Sequence, residues 1–557
     1  MKRKVLGSIL LAAAAAFTQP QTPPPATSKA DACAPPPGAV PPSLPAKLLQ
    51  GQGRIDFKIT TRSAEAQAFF NQGVAQMHSF WAREAERSFL QAAALDPEAP
   101  MPHWGIAMVA AGDYRPGFQL DYVNGHPPKA VKRTGKPQGA EARAVAAAEK
   151  ARQLAAVPGK ATDLEKLYIA AVASRRDLSL RDPNAEYVKG LRALLARHPK
   201  EVEARTYLAL QLMSGFELPS KRPRTGSMEA VELLKAALVD SPDHAGAHHY
   251  VIHGWEGSTF AKDAWPSCQR YGELASNIPH GLHMPGHIYA QTGRWADAIK
   301  SFSDAAENEV YWMKQDSLSG NGHHGHNVHF LISSYSFTGQ FDKAFETAKR
   351  LLEYKETPRE AKQPDNYRTA YRQAWFALLR TLVQHEKWDL ILDGKTLPDY
   401  QKPREQAWRE WAIAQAHLAK GNRAEAESAV RRMDNALTSF RAQMKAKTVP
   451  PALAVARDEM RAHLAVNADK KIQLLQRAAR GELAIRYTEP TSYPRPVLEV
   501  LGQVALKAGR AQVAERAFRD ALDQYPESAG AKAGLRAAMQ LQNRPVEAGA
   551  AGGGGLD

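Results

Sequence analysis

The chain has 557 residues, a formal charge of +15 and a hydrophobic fraction of 44%. That length exceeds an ordinary single domain, so several domains or a repeat array are expected, with enough apolar residues for a continuous core. The positive charge is spread thinly and no dense Lys/Arg run is interleaved with aromatics, which argues against a nucleic-acid partner.

The first residues read as a secretory signal over 1–18. Lys2, Arg3 and Lys4 precede an apolar run from Val5 to Phe17, and small residues at Ala14 and Ala16 offer a cleavage site. The run is too short to span a bilayer comfortably, and no later stretch is apolar enough, so stable membrane insertion is not expected. The expected location is periplasmic or secreted. Residues 19–49 are rich in Pro, Ala and Ser and read as a linker. Cys33 and Cys268, the only two cysteines, can pair in an oxidising compartment or remain two unlinked thiols.

Ile55 to Thr60 alternates like a short strand. Helical repeats then divide into an N-terminal part at 50–215, a central part at 216–355 and a C-terminal part at 356–540. A Pro/Gly/Lys-containing loop is expected at 114–139, with helices near Ala140–Ala156, Thr162–Ser174, Ala185–Arg197 and Glu201–Met213. Residues 541–557, ending in a glycine run, read as a disordered tail.

One pattern recurs along the chain. Gly73, Ala85, Phe89, Ala92 and Pro97 share their spacing with Gly502, Ala514, Phe518, Ala521 and Pro526. Gly286, Tyr289, Gly293, Ala298, Phe302 and Ala305 repeat it without the final proline. Ala230, Leu234, Ala237 and Pro242 match its second half, and Tyr335, Gly339 and Ala344 mark a further unit, as Gly421 and Ala426 do less completely. The period of about 34 residues resembles the tetratricopeptide-repeat superfamily over most of residues 63–540. The resemblance implies an all-α superhelical solenoid of helical hairpins, in which stacking buries each apolar stripe and leaves a concave groove.

Between His244 and His329 lie 11 of the 18 histidines. The resemblance implies which face of each first helix lines the groove. In the unit of Gly286 those positions are His280, His283, His287 and Ala290; one unit earlier they are Gly246, His249, His253 and Glu256. One unit later they are His326, His329, Ser333 and Ser336. Seven histidines and one glutamate therefore share the groove face of three consecutive helices, on an arc that a 100° turn per residue supports. His248 falls on the packing face and His244 near a helix start. His323 and His324 lie in a Gly-rich stretch, Ser319 to Gly325, that reads as a loop able to fold over the groove. Pro285 is expected to kink its helix between His283 and His287.

Imidazoles four residues apart on a helix suit a metal ion, and the number present exceeds one tetrahedral set, which permits a second ion or partners that orient the ligands. Mostly imidazole with one carboxylate points to zinc or copper, with iron possible, and away from calcium and magnesium. His249, His253, His280, His283, His287, His326 and His329 are the candidate ligands. Glu256 is a candidate ligand or general base, and Tyr289, Trp312 and Met313 are candidates for a substrate pocket. The chemistry implied is that of a metal-dependent hydrolase or oxidoreductase. Two readings without catalysis stand beside it: a scaffold binding a peptide, protein or anionic small molecule in the groove, and metal capture or delivery. No GxSxG, P-loop or CxxC spacing is present.

The phrase His280 to Tyr289 is also similar to a histidine motif of an uncharacterised, often exported subgroup of tetratricopeptide proteins, which carries Ser where this chain has Gly286. That likeness implies a shared groove site and no particular reaction.

Overall fold

The structure is a computed structural model that describes residues 41–114, 137–218, 220–315, 321–363, 365, 369–485 and 490–545. The expected signal sequence, the linker up to residue 40, most of the 114–139 loop and the tail beyond 545 lie outside the described residues, as does Cys33. Cys268 is buried and free.

The described residues are organised as α-helices, one 3-10 turn and two isolated β-bridges. Consecutive helices joined by short turns pack against each other as hairpins: Ala64–His78 on Ala82–Leu95, Pro279–Gln291 on Trp295–Gln315, Pro403–Ala419 on Arg423–Met444, and Val497–Lys507 on Ala511–Gln524. The fold is thus the tetratricopeptide-like all-α solenoid. The four helices expected between 140 and 213 are present as Gly139–Ala155, Asp163–Arg176, Pro183–Arg197 and Val202–Leu212. Their ends follow local chemistry. Thr162 and Glu165 close a capping box, Asp182 caps Pro183–Arg197, and prolines open the helices at Pro183, Pro279, Pro403 and Pro451. No helix among the described residues is long and apolar enough to cross a membrane.

The recurring glycine and phenylalanine are one contact. A Cβ on Gly73 would lie 2.6 Å from the Phe89 ring, one on Gly286 2.4 Å from Phe302, and one on Gly502 2.5 Å from Phe518. The next helix approaches the same ring through Gly105 in the first case and Gly534 in the last. The phenylalanine of each second helix is therefore wedged where only hydrogen fits, which sets the helix separation. Gly293, Gly339, Gly421 and Gly509 sit in the hairpin turns at φ 78°, 79°, 81° and 68°, a region L-residues avoid.

Ile55 to Thr60 forms no strand. Arg54 makes a single bridge to His244, and Ile55 and Phe57 bury their side chains in the core. Gly53 N–H donates to Leu274 C=O at 2.8 Å and Asn277 N–H to Gly51 C=O at 2.9 Å. This segment ties the first hairpin to the central repeats, and helix Ala64–His78 packs directly on Ala245–Trp255. The last repeat reaches the central ones too: Trp295 Nε1 donates to Pro526 C=O at 2.8 Å, and Phe337 stacks on Tyr525 at 4.9 Å.

Candidate metal centre

Three helices carry the histidines: Ala245–Trp255, Pro279–Gln291 and Asn321–Phe337. Six of the seven candidate ligands converge in two triads. His249, His253 and His280 form one, and His283, His287 and His326 the other; within each triad one nitrogen per ring lies within 4.8 Å of the others. The triads adjoin, with the His253 and His280 rings 6.1 Å apart and His280 and His283 also 6.1 Å apart. All six side chains are buried, between 0% and 6% exposed. The histidines therefore do not line an open groove.

Glu256 joins the two triads. Its Oε2 accepts from His253 Nδ1 at 3.0 Å and its Oε1 from His287 Nδ1 at 2.7 Å. Burial pushes this carboxyl up, but the two imidazoles outweigh it and hold the group well below the usual carboxylate range. An ionised carboxylate only accepts, so both imidazoles carry a proton on Nδ1, and in its neutral form each ring offers Nε2 as the ligand atom. His249 is set the same way, its Nδ1 2.5 Å from His78 C=O. The Nε2 atoms then face one another: His249 to His280 at 3.2 Å and His287 to His283 at 2.7 Å. His280 Nδ1 and His283 Nδ1 are buried without a partner. Burial, and the neighbouring imidazoles after it, push His280 and His283 well below the ordinary histidine value, so both stay neutral near pH 7. Neutral imidazoles with converging, inward-facing nitrogens in a dry site fit a cation better than they fit one another.

Both Glu256 oxygens accept an imidazole N–H, so in this geometry the carboxylate orients one ring of each triad. Glu256 caps helix Ala245–Trp255 with φ −57° and ψ 131°, so its side chain keeps helical register one turn from His253 while the chain after it turns away. His329 stands apart. Its Nδ1 lies 2.6 Å from Gln373 Oε1 on helix Ala370–Gln384, three residues and hence about 60° of arc away from His326. Tyr289 points elsewhere as well, stacking under Arg294 at 4.9 Å, as expected two residues beyond His287 on a helix. Trp312 packs edge-on against Trp81 at 5.1 Å, and Met313 is half-buried; neither makes a ring contact with a triad histidine. Pro285 is accommodated inside a continuous helix, and both flanking histidines belong to the same triad.

Three parts of the site were not expected from sequence. His323 lies in the first turn of helix Asn321–Phe337, not in a loop. Its ring is 6.0 Å from His280, 5.9 Å from His283 and 6.0 Å from His326, between the triads. Glu309 Oε2 accepts from the His323 Nδ1 at 2.9 Å, and the His323 Nε2 is buried without a partner, which adds His323 to the six triad histidines as a candidate ligand. The second is Phe80, whose ring covers His249 at 4.6 Å, His280 at 5.4 Å and His253 at 5.5 Å. Phe80 stands at φ 56°, seven residues after Gly73, where other repeats place the turn glycine.

The third is a group of His78, Glu203 and His244. His78 Nε2 and His244 Nε2 meet the two Glu203 oxygens at 2.8 and 2.9 Å. His244 Nδ1 accepts Ala247 N–H as a helix cap, and His78 Nδ1 meets Tyr250 Oη at 3.1 Å. Every ring nitrogen has a partner of its own, so this trio is a closed hydrogen-bond network. Burial raises the Glu203 carboxyl, and the two imidazoles more than reverse that, holding it far below the usual range. Gly246 allows it, since a Cβ there would lie 2.4 Å from the His78 ring. His248 is likewise committed, to Ser267 Oγ at 3.1 Å and Pro242 C=O at 2.8 Å.

No family model matches the chain, and no curated protein matches it. Among solved structures it is similar to the human IFIT1 dimer with PPP-AAAA, at 11% identity over 86% of this chain and 92% of that one, with a TM-score of 0.29. The human IFIT1 dimer with m7Gppp-AAAA gives 11% identity over 87% and 90%, with a TM-score of 0.30. Neither the fold nor the site rests on these likenesses.

Proposed function

We propose that the chain is an exported metalloprotein whose repeat frame holds two adjacent ions, one per histidine triad, and that it acts as a metal-dependent oxidoreductase on a small molecule. The observation that carries this reading is the Glu256 carboxylate, which turns one imidazole of each triad so that both offer Nε2 inward. Carboxylate-imidazole pairs of this kind fix the tautomer of metal-bound histidines and raise their basicity.

Copper is the first choice of metal, zinc the second and iron the third. The ligand set is all imidazole, with the Glu256 and Glu309 carboxylates bonded to ring nitrogens, a donor set that suits copper or zinc. A copper pair supplies two-electron chemistry with dioxygen, whereas a zinc pair supplies an activated water. What the chain itself does is orient Nε2 atoms through Glu256, Glu309 and the His78 carbonyl, and exclude water with Phe80 and Phe330. The depth of burial also favours a second reading, metal capture or delivery without turnover. An extended peptide in the groove is less well supported, because the histidines are covered. Export rests on the N-terminal sequence alone, from Lys2 to Phe17, and the likeness to the exported histidine-motif subgroup accords with it.

The test is metal content, determined on protein purified without a His tag and reconstituted with copper or zinc. The reading expects two ions per chain, one after His283→Ala with His287→Ala, and one after His249→Ala with His253→Ala. Equal and negligible metal in all three sinks it.

A further inference from the structure

A cavity of about 190 Å³ opens beside the second triad, between the central repeats and the C-terminal ones. Phe330 lines it and at the same time packs on His287, His326 and His283 at ring distances of 4.6, 4.8 and 4.9 Å. One aromatic ring thus separates the cavity from the histidines. The remaining walls are chiefly aromatic and apolar: Trp295, Phe337, Tyr493 and Tyr525, with Trp295 and Phe337 stacked at 5.2 Å. An engineered apolar cavity of ~150 Å³ takes up benzene, so this one has room for a single substituted ring.

Among the polar wall groups, Glu482 and Gln524 each keep a side-chain oxygen without a partner. Glu482 is buried; its Oε2 accepts Val497 N–H at 2.7 Å, and its Oε1 has no hydrogen-bond partner. Burial, with Glu459 and Glu499 acting in the same sense, pushes this carboxyl up to about 8. At neutral pH it is a protonated acid whose free oxygen can donate. A buried donor without an acceptor is costly, and a ligand oxygen would satisfy it. The nearby Arg380 guanidinium is committed to Thr491 and to the Tyr493 and Pro494 carbonyls. Lys221 also stands on the wall, where burial pulls its ammonium below the ordinary lysine value.

We propose that this cavity binds a single-ring aromatic molecule bearing a hydroxyl or carbonyl oxygen, with the ring between Trp295, Phe330 and Phe337 and the oxygen on Glu482. Its role as the substrate chamber rests on the metal-centre reading; the binding itself does not. Phe330 is then the partition through which the ring approaches the histidines.

The test is titration of metal-free protein with 4-methylphenol, toluene and cyclohexanol, followed by calorimetry and ligand-observed NMR. One 4-methylphenol per chain is expected, bound ~10-fold more tightly than toluene, the worth of one hydrogen bond to a buried donor. Cyclohexanol, lacking the flat ring, is expected to bind more weakly than 4-methylphenol. Glu482→Leu is expected to erase the preference over toluene, while Glu482→Gln, which keeps a donor, retains it. Should Glu482→Leu fail to fold, Phe337→Trp fills the chamber and is expected to abolish binding of all three. Absence of 4-methylphenol binding, equal affinity for toluene, or indifference to both Glu482→Leu and Phe337→Trp overturns the proposal. Because no metal is present, a protein that takes up two ions yet ignores 4-methylphenol loses the chamber alone, and one that binds 4-methylphenol yet takes no metal loses the metal centre alone.

Discussion

His287 Nδ1 donates to Glu256 Oε1 at 2.7 Å across a separation of 31 residues, linking consecutive first helices of the repeat. With the matching bond from His253, one carboxylate fixes two tautomers, and this gives a first prediction. In Glu256→Gln one face of the amide offers N–H where an acceptor is needed, so one imidazole must turn or flip its proton. Metal affinity is expected to fall roughly 10- to 100-fold, the usual effect of removing such a partner, with the helical fold retained. Competition with a chelator, alongside circular dichroism, checks both halves.

Phe80 supplies a second prediction. Its φ of 56° is strained for a bulky residue, of the order of 1–3 kcal/mol, yet its ring shields three ligands. In Phe80→Gly the backbone strain is relieved but the packing of a buried ring, worth about 3–5 kcal/mol, is lost, so a lower melting temperature is expected together with faster exchange of bound metal. Stopped-flow transfer to a chelator reads the exchange. An unchanged rate would mean that the ring is not the cover.

Gly286→Ala tests the wedge beneath the site. The new methyl would meet Phe302 at 2.4 Å, one residue from His287, and overpacking of this kind costs about 1–3 kcal/mol. Lower thermal stability and loss of metal from the second triad are expected together. Gly502→Ala, which meets Phe518 at 2.5 Å on a hairpin that carries none of the triad histidines, is expected to lower stability without touching metal content.

The pH dependence of stability carries a fourth prediction, through Glu482. Its folded value is raised to about 8 from the ordinary glutamate range, so the folded state keeps a proton the unfolded chain releases. Its contribution to stability is full below the unfolded value and is lost as pH rises towards 8, amounting to roughly a few kcal/mol. Glu482→Gln removes that titration. The melting temperature of the variant relative to wild type is expected to climb between pH 5 and pH 8 and to level off above it. A constant difference across that range would contradict the assignment.

The repeat frame was legible because Gly73, Phe89 and their counterparts encode a steric contact that survives in spacing alone. Six of the triad histidines were legible for the same reason, since helical register carries them to one face. What escaped is non-local or depends on how helices end. His249 donates from Nδ1 to the His78 carbonyl, 171 residues earlier, because the first hairpin folds back on the central repeats. Glu256 reads as one more groove residue until its two imidazole partners, on its own helix and the next first helix, are seen. Gly322 and Gly325 suggest a loop around His323, yet Gly325 lies in a helix, where a Cβ would come within 2.6 Å of the Ala370 backbone. That glycine serves close helix packing, not flexibility.

The central claim is that two ions sit side by side, each among three imidazoles. Anomalous diffraction from crystals of reconstituted protein, collected above and below the copper and zinc edges, measures this directly. The account predicts two anomalous peaks per chain, one bounded by His249, His253 and His280 and the other by His283, His287 and His326, with Glu256 outside both. A single peak shared by all six, a peak at Glu203 instead, or no peak after reconstitution would contradict it.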